Sequence, residues 1–330
     1  MPSRTTIKKV AQKTGVSIAS VSRFLNHPHF LKEETRRKIE KVVKRLKYSP
    51  LSVAQRLAGG KLNIFGLIIP GYEGIFYSFY AWEIIRGIAY YINEKGVDLY
   101  LHIFWGKDTF KASFVDGVIF ADVIGNEKQL RRLVREGIPT VVINKKITEP
   151  KVSCVAIDNF KGAYEATEFL INHGHRKIAH LAGDLRIQCA QERLEGFRAC
   201  LEKNKIEVKE EFIKITNFSP RQARQKLEEL FSYKEIPTAI FCCSDEVAKE
   251  ALSFAKERDI SVPKKLSVIG FDDNPLLGYG DSMLTTIRQP FNKMTSLAIK
   301  ILHDRIREKK PLQRIVLPCE LIIRDTVSFV

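Results

Sequence analysis

Residues 6–26 read Thr6-Ile7-Lys8-Lys9-Val10-Ala11-Gln12-Lys13-Thr14-Gly15-Val16-Ser17-Ile18-Ala19-Ser20-Val21-Ser22-Arg23-Phe24-Leu25-Asn26. Their spacing decides the fold of the first part of the chain. Ile7, Val10 and Ala11 share one helical face, and Ala11 is small enough for a second helix to cross close by. Gly15 stands where a tight turn needs φ > 0, which is cheap only for glycine. Ser17 suits the N-cap of a second helix. Val16 plugs the core, and Val21 with Phe24 or Leu25 returns to it at helical spacing. Ile18, Ala19, Ser22 and Arg23 are left facing out. A third helix is expected from about Lys32. Glu33 and Glu34 fall in its first turn, where the helix dipole favours acids. Ile39, Val42, Val43 and Leu46 form its apolar stripe. The pattern is that of a helix-turn-helix braced by a third helix, with a small three-helix bundle for protein contacts as the alternative use.

The charge is concentrated in the same region. Residues 1–61 hold 15 Lys/Arg against 3 Asp/Glu, a net of +12, while the whole chain has a net of +16. That asymmetry favours a polyanionic partner, nucleic acid or an anionic membrane. In a helix-turn-helix the second helix enters the major groove of double-stranded DNA. There Arg23 can pair with guanine, and Ile18 and Ala19 can touch thymine methyls. Thr6, Ser17, Ser22, Asn26 and Tyr48 are candidate phosphate contacts, which position the protein without specifying sequence.

The chain has 330 residues, 45% hydrophobic and 28% charged, which suits a soluble globular protein of two or three folding units. From Ile64 onward, strand-like runs such as Ile64–Ile69, Gly117–Phe120, Ala239–Cys243 and Leu266–Gly270 alternate with helical stretches such as Ala81–Asn93, Phe160–Asn172 and Asn292–Glu308. Alternating β and α elements imply parallel sheets covered on both faces. About ten strands are too many for one such sheet, so two doubly wound subdomains are expected. The final stretch, Gln313–Thr326, reads as one or two extended segments. The segment Phe104–Phe114 is short for a parallel crossover, which normally takes about a dozen residues or more, so its helix is expected to shrink to about one turn.

Several function classes are not supported. There is no P-loop, Gly-x-Gly-x-x-Gly, nucleophile elbow or metal-ligand spacing, so neither an enzyme, a cofactor nor a metal is expected. The cysteines Cys154, Cys189, Cys200, Cys242, Cys243 and Cys319 include no C-x-x-C pair and suit a reducing compartment. No run reaches the length of a membrane span. Lys8, Lys9 and Lys13 interrupt any apolar signal core, so a cytoplasmic location without membrane contact is expected.

The run Thr6–Asn26 closely resembles the LacI/GalR family of transcriptional regulators, as does Lys47-Tyr48-Ser49-Pro50 followed by Ala54-Gln55-Arg56-Leu57. The resemblance continues through Gly66-Leu67-Ile68-Ile69-Pro70, His173-Gly174-His175-Arg176-Lys177-Ile178, Arg193-Leu194-Glu195-Gly196-Phe197, Ser267-Val268-Ile269-Gly270-Phe271-Asp272-Asp273 and Leu284-Thr285-Thr286-Ile287-Arg288-Gln289-Pro290, and so covers nearly the whole chain. It implies an all-α headpiece at 1–49 and a hinge helix and linker at 50–60. A periplasmic-binding-protein-like α/β core follows, with one subdomain at 61–159 plus 290–318 and the other at 160–289 plus 319–330. It also implies a homodimer on pseudo-palindromic operator DNA. Leu57 of the hinge helix would wedge between base steps in the minor groove.

A small effector would sit between the subdomains, where strand C-termini face inward. Matching the family's pattern selects Asn144 at a strand end, Arg193 opening a helix, Phe218 after a strand and Asp272 at a strand end. Phe79, Tyr80 and Ser244 follow with less support, and Asp158 reads instead as a helix cap or crossover residue. Arg and Asp offer fixed donors and acceptors to hydroxyls, and Phe offers a flat surface to a ring. A sugar is the commonest effector of the family; a nucleobase or phosphorylated metabolite is the alternative. Two rival readings remain: a carbohydrate-binding protein without DNA function, and a non-specific DNA-binding protein.

Overall fold

The computed structural model describes residues 6–26, 30–46, 62–71, 75, 78–107, 109–275 and 283–330. The chain divides into two compact units, residues 1–64 with 114–116 and residues 65–113 with 117–330.

The first unit holds α1 (Ile7–Thr14), α2 (Ile18–Asn26) and α3 (Glu33–Arg45). Val10, Ala11, Val21, Ile39 and Val42 form its core, with Val16, Phe24, Leu25 and Leu46 packed around it. Gly15 caps α1 at φ 68°, and its amide donates to the Ala11 carbonyl. No atom would obstruct a Cβ there, so glycine is needed for its conformation and not for space.

The second unit carries two six-stranded sheets. The first is ordered β11-β5-β4-β3-β1-β2 and the second β12-β10-β9-β8-β6-β7. In chain order the strands of the first are β1 (Ile64–Pro70), β2 (Asp98–Phe104), β3 (Gly117–Phe120), β4 (Thr140–Ile143), β5 (Ser153–Ile157) and β11 (Arg314–Leu317). Those of the second are β6 (Ile178–Ala182), β7 (Ile213–Ile215), β8 (Ala239–Cys242), β9 (Ser267–Asp272), β10 (Thr285–Arg288) and β12 (Glu320–Ile322). The intervening helices are α4 (Phe79–Glu94), α5 (Glu127–Arg135), α6 (Asn159–Asn172), α7 (Gln188–Lys203), α8 (Pro220–Leu230), α9 (Asp245–Glu257) and α10 (Phe291–Glu308). The pairing of β10 with β12 is antiparallel; the pairings β1–β3, β3–β4, β4–β5, β5–β11, β6–β7, β6–β8, β8–β9 and β9–β10 are parallel. Central strands such as β3, β4 and β8 are buried throughout, which is why they read as unbroken apolar runs. The chain therefore has the expected architecture of α-helical headpiece plus paired parallel α/β sheets.

The short connection between β2 and β3 contains a single 3₁₀ turn, Ala112–Phe114. Phe110 fills the place a crossover helix would take. Its ring lies so close over β1 that a Cβ on Gly66 would come within 2.5 Å of it. From α5, Arg132 Nη2 donates to the Phe110 carbonyl at 2.6 Å. His175, from the Gly174-His175-Arg176 motif, bonds Thr238 at 2.9 Å, Ser267 at 3.0 Å and the Ser328 carbonyl at 3.2 Å. That motif thus latches the C-terminal residues onto the second sheet.

Candidate DNA-reading surface and effector cleft

On α2, Ile18, Ala19 and Arg23 are exposed and Ser22 is half-buried. Ile18 is 45% exposed. Thr6 and Ser17 turn out to be helix caps. The Thr6 hydroxyl accepts from the Lys9 amide at 3.4 Å, and the Ser17 hydroxyl from the Ser20 amide at 3.1 Å. A capping hydroxyl accepts through a lone pair and still has a proton to donate, so capping and phosphate contact are compatible. The acids of α3 are taken by its own bases: Glu33 by Arg37 at 2.6 Å, Glu34 by Lys38 and Glu40 by Lys44 at 2.8 Å each. Among the described residues no acid pairs with Lys8, Lys9, Lys13, Arg23, Arg36, Lys41 or Arg45. Tyr48, Leu57, the expected hinge at 50–60 and the Asn26 side chain lie outside the described residues.

In the core, the candidate effector residues gather at the C-terminal ends of parallel strands. Asn144 follows β4 at φ 66°, Asn217 and Phe218 follow β7 at 53° and 57°, and Asp272 ends β9 at 127°. Non-glycine residues held at such φ cost free energy, and they cluster where function requires it. The Phe218 ring is seated against Gly183, where a Cβ would approach it to 2.2 Å.

Arg193 departs from expectation in one respect. It does not open its helix: α7 begins at Gln188, so Arg193 sits in the second turn, buried. Its guanidinium carbon lies 3.5 Å from the centre of the Phe271 ring. Nε donates to Asn159 Oδ1 at 2.9 Å, and Nη1 donates to the Cys243 carbonyl. Among the described residues Nη2 has no partner. One guanidinium thus ties α7 to the start of α6, the end of β8 and β9, and keeps Nη2 in reserve.

Asp272 is buried and accepts from the Gln289 side-chain amide. Burial holds its carboxyl well above the ordinary carboxyl range; Glu246 adds to the rise and Arg193 opposes it. Ser244 is also a cap, accepting from the Val247 amide at 3.4 Å at the head of α9. Asp158 caps α6, accepting from Lys161 at 3.0 Å. On the other sheet, the Asn144 amide donates to Asp122 at 3.3 Å, and among the described residues its Oδ1 has no hydrogen-bond partner. Among the described residues the Gln289 Oε1 likewise has none. Burial pushes Asp122 up to about 6.

Phe79 and Tyr80 are engaged elsewhere. The Phe79 ring is buried edge-on to Phe291 at 5.6 Å between centroids, and the Tyr80 hydroxyl donates to the Ala121 carbonyl. What Phe79 offers is its backbone amide, which donates to Glu246 at 3.0 Å. The Lys146 amide donates to Gln188 at 2.7 Å, and its ammonium meets Glu192 at 3.1 Å. Both sets of contacts join residues of the first-sheet half to residues of the second. Asp122, Asn159 and Gln289, which hold the candidate residues in place, carried no motif of their own. Only Gln289 lay within a stretch that the sequence singles out.

A profile of bacterial regulatory proteins of the lacI family matches residues 6–50, and one of periplasmic binding protein-like domains matches residues 167–327. The HTH-type transcriptional repressor PurR of Vibrio vulnificus is 31% identical over 336 residues, 98% of each chain. The chain belongs to the lacI family of bacterial regulatory proteins. The HTH-type transcriptional regulator DegA of Bacillus subtilis is 32% identical over 337 residues, again 98% of each chain. Among solved structures, the lac repressor dimer bound to operator and the anti-inducer ONPF matches with a TM-score of 0.82 at 23% identity, covering 98% of this chain and 99% of that one. The transcriptional regulator CelR in complex with cellobiose matches at 0.73 and 26% identity, covering 98% of this chain and all of that one. This lacI-family chain is therefore a DNA-binding transcriptional regulator with an effector-binding core, not an enzyme. Among the described residues, no helix is long and apolar enough to cross a membrane.

Proposed function

We propose that this regulator is a homodimeric repressor that reads a pseudo-palindromic operator with α2, its affinity set by a sugar bound between the two halves of the core. The observation that carries the DNA reading is the face of α2: Ile18, Ala19 and Arg23 stand exposed on a braced helix-turn-helix, where among the described residues Lys8, Lys9, Lys13 and Arg23 of α1 and α2 have no acidic partner. Ser22 and the capping hydroxyls of Thr6 and Ser17 would meet phosphates, with Asn26 and Tyr48 beside them. Leu57 would supply the minor-groove wedge. The core halves would be residues 61–159 with 290–318 and 160–289 with 319–330. Dimerisation is supported by the family, whose solved members include a lac repressor dimer bound to operator, and by the match of a two-fold protein to a two-fold site.

For the effector, the open acceptors on Asn144 and Gln289, the spare Arg193 donor and the Phe218 face suit a ring bearing hydroxyls. The solved relatives include a regulator with cellobiose and an Enterococcus faecium LacI-family regulator with ribose, the latter 25% identical with a TM-score of 0.72. Ligand that favours one arrangement of the halves shifts operator affinity through the Lys146–Gln188 and Phe79–Glu246 contacts. A thermal-shift panel of cellobiose, ribose, adenine and hypoxanthine tests the class. A ligand at a hundred times its Kd adds about 2.7 kcal/mol to stability. The reading expects a sugar to raise the melting temperature of the wild type and not of Asp272→Ala. Stabilisation by a nucleobase instead would replace the sugar with that class. A chain lacking residues 1–60 is expected to lose operator binding and keep the ligand response; unchanged operator affinity would sink the DNA reading.

A further inference from the structure

Outside the cleft, the first-sheet half of the core carries a groove of about 560 Å³ between α5 and the turn that leads into β5. One wall is the outer face of α5, with Lys128, Arg131 and Arg135 at helical spacing. The other is the turn at residues 149–151, with Lys151 at its tip, and Val134 and Pro150 line the groove with them. Four cations thus line the groove with one carboxylate, Glu149, which lies 3.6 Å from Arg131. That pair is half-exposed and so holds Arg131 only weakly. Among the described residues Lys128, Arg135 and Lys151 have no acidic partner. The turn is braced from β11, where Arg314 Nη2 donates to the Thr148 carbonyl at 3.0 Å and the Glu149 carbonyl at 3.2 Å.

We infer that this groove binds a small phosphate-bearing molecule, at a site separate from the effector cleft. Cations on two walls border a space of small-ligand size, within about 300–1,000 Å³. Arginine forks and lysine ammoniums together match phosphate oxygens, and an incoming phosphate competes with Glu149 for Arg131. The apolar lining from Val134 and Pro150 suits a compact organic body attached to the phosphate. Such a site would let the regulator sense a second metabolite.

The test is calorimetric titration of the full-length protein with inorganic pyrophosphate. The headpiece is itself basic, so two variants are compared. In Lys128→Gln/Arg135→Gln/Lys151→Gln the groove loses its unpaired cations; in Arg36→Gln/Lys41→Gln the headpiece loses two of its own. All five residues are exposed, so both variants are expected to melt as the wild type does. One saturable site per chain is expected, weakened at least about tenfold in the groove variant, as loss of a charge-assisted hydrogen bond implies, and unchanged in the headpiece variant. The inference is overturned by the absence of saturable binding, by binding that weakens only in the headpiece variant, or by a polyglutamate peptide that binds through the groove cations where pyrophosphate does not.

Discussion

Replacing Arg193 with lysine keeps a positive charge in the same pocket and removes the geometry that the structure gives it. The guanidinium makes two hydrogen bonds at once, to Asn159 Oδ1 and to the Cys243 carbonyl, while its carbon sits 3.5 Å from the Phe271 ring centre. A lysine ammonium lacks the rigid fork that sends separate nitrogens to the two acceptors and the planar group that packs on the ring. Cys243 and Asn159 are 0 and 2% exposed, so water cannot replace the lost donor. An orphaned buried acceptor costs about 1–3 kcal/mol, and a lost cation–π contact about 0.5–2 kcal/mol. Arg193→Lys is therefore expected to lower the unfolding free energy by roughly 2–5 kcal/mol in the absence of any ligand. Urea denaturation followed by far-UV circular dichroism at pH 7.5 reads this directly. A group that served only the ligand would leave ligand-free stability untouched. A variant within about 0.5 kcal/mol of wild type, the range of a neutral surface change, would refute the buried network.

Three further outcomes are expected. Gly183→Ala should displace the Phe218 ring, since the new Cβ would lie 2.2 Å from it, and weaken the ligand-induced thermal shift while changing ligand-free stability by less than about 3 kcal/mol; an unchanged shift would remove Phe218 from the site. Phe110→Ala should cost about 3–5 kcal/mol in urea denaturation, because its buried ring packs onto Gly66 and beside Tyr100 and His102; a loss under about 1 kcal/mol would mean that the short connection is covered some other way. Asp122, raised by burial to about 6, is protonated in the folded chain at pH values where the unfolded chain has already lost that proton. Its contribution is thus present below about pH 4 and lost as pH rises to about 6. The advantage of Asp122→Asn over wild type should grow by about 2 kcal/mol between pH 4.5 and 8, and an advantage independent of pH would contradict the burial argument.

The headpiece was legible because each of its signals is local. A positive-φ glycine, a serine cap and apolar residues at helical spacing fixed α1 and α2, and α3 begins one residue from the Lys32 expected. The buried strands were legible for a similar reason: burial on both faces leaves continuous apolar runs, and β3 spans the residues read as Gly117–Phe120. The start of α7 was not. It is preceded by Ile187, which makes no side-chain cap, so no start signal stood ahead of Arg193. The strained residues at the cleft were equally silent. Asn144, Phe218 and Asp272 hold positive φ because tertiary contacts impose it, against what local propensity favours in a phenylalanine or aspartate. The roles of Asp122 and Gln289 depend on partners 22 and 17 residues away, and a hydrogen bond between distant side chains leaves no periodic trace.

The central claim is that α2 reads a specific, two-fold symmetric sequence. Selection of the full-length protein against a random duplex pool, followed by affinity measurement at fixed salt, tests it most directly. The expected result is enrichment of a pseudo-palindromic site, with Arg23→Ala costing about 1–3 kcal/mol on that site and little on unrelated DNA. A pool that returns no preferred sequence, or a selected site that the wild type and Arg23→Ala bind alike, would contradict it.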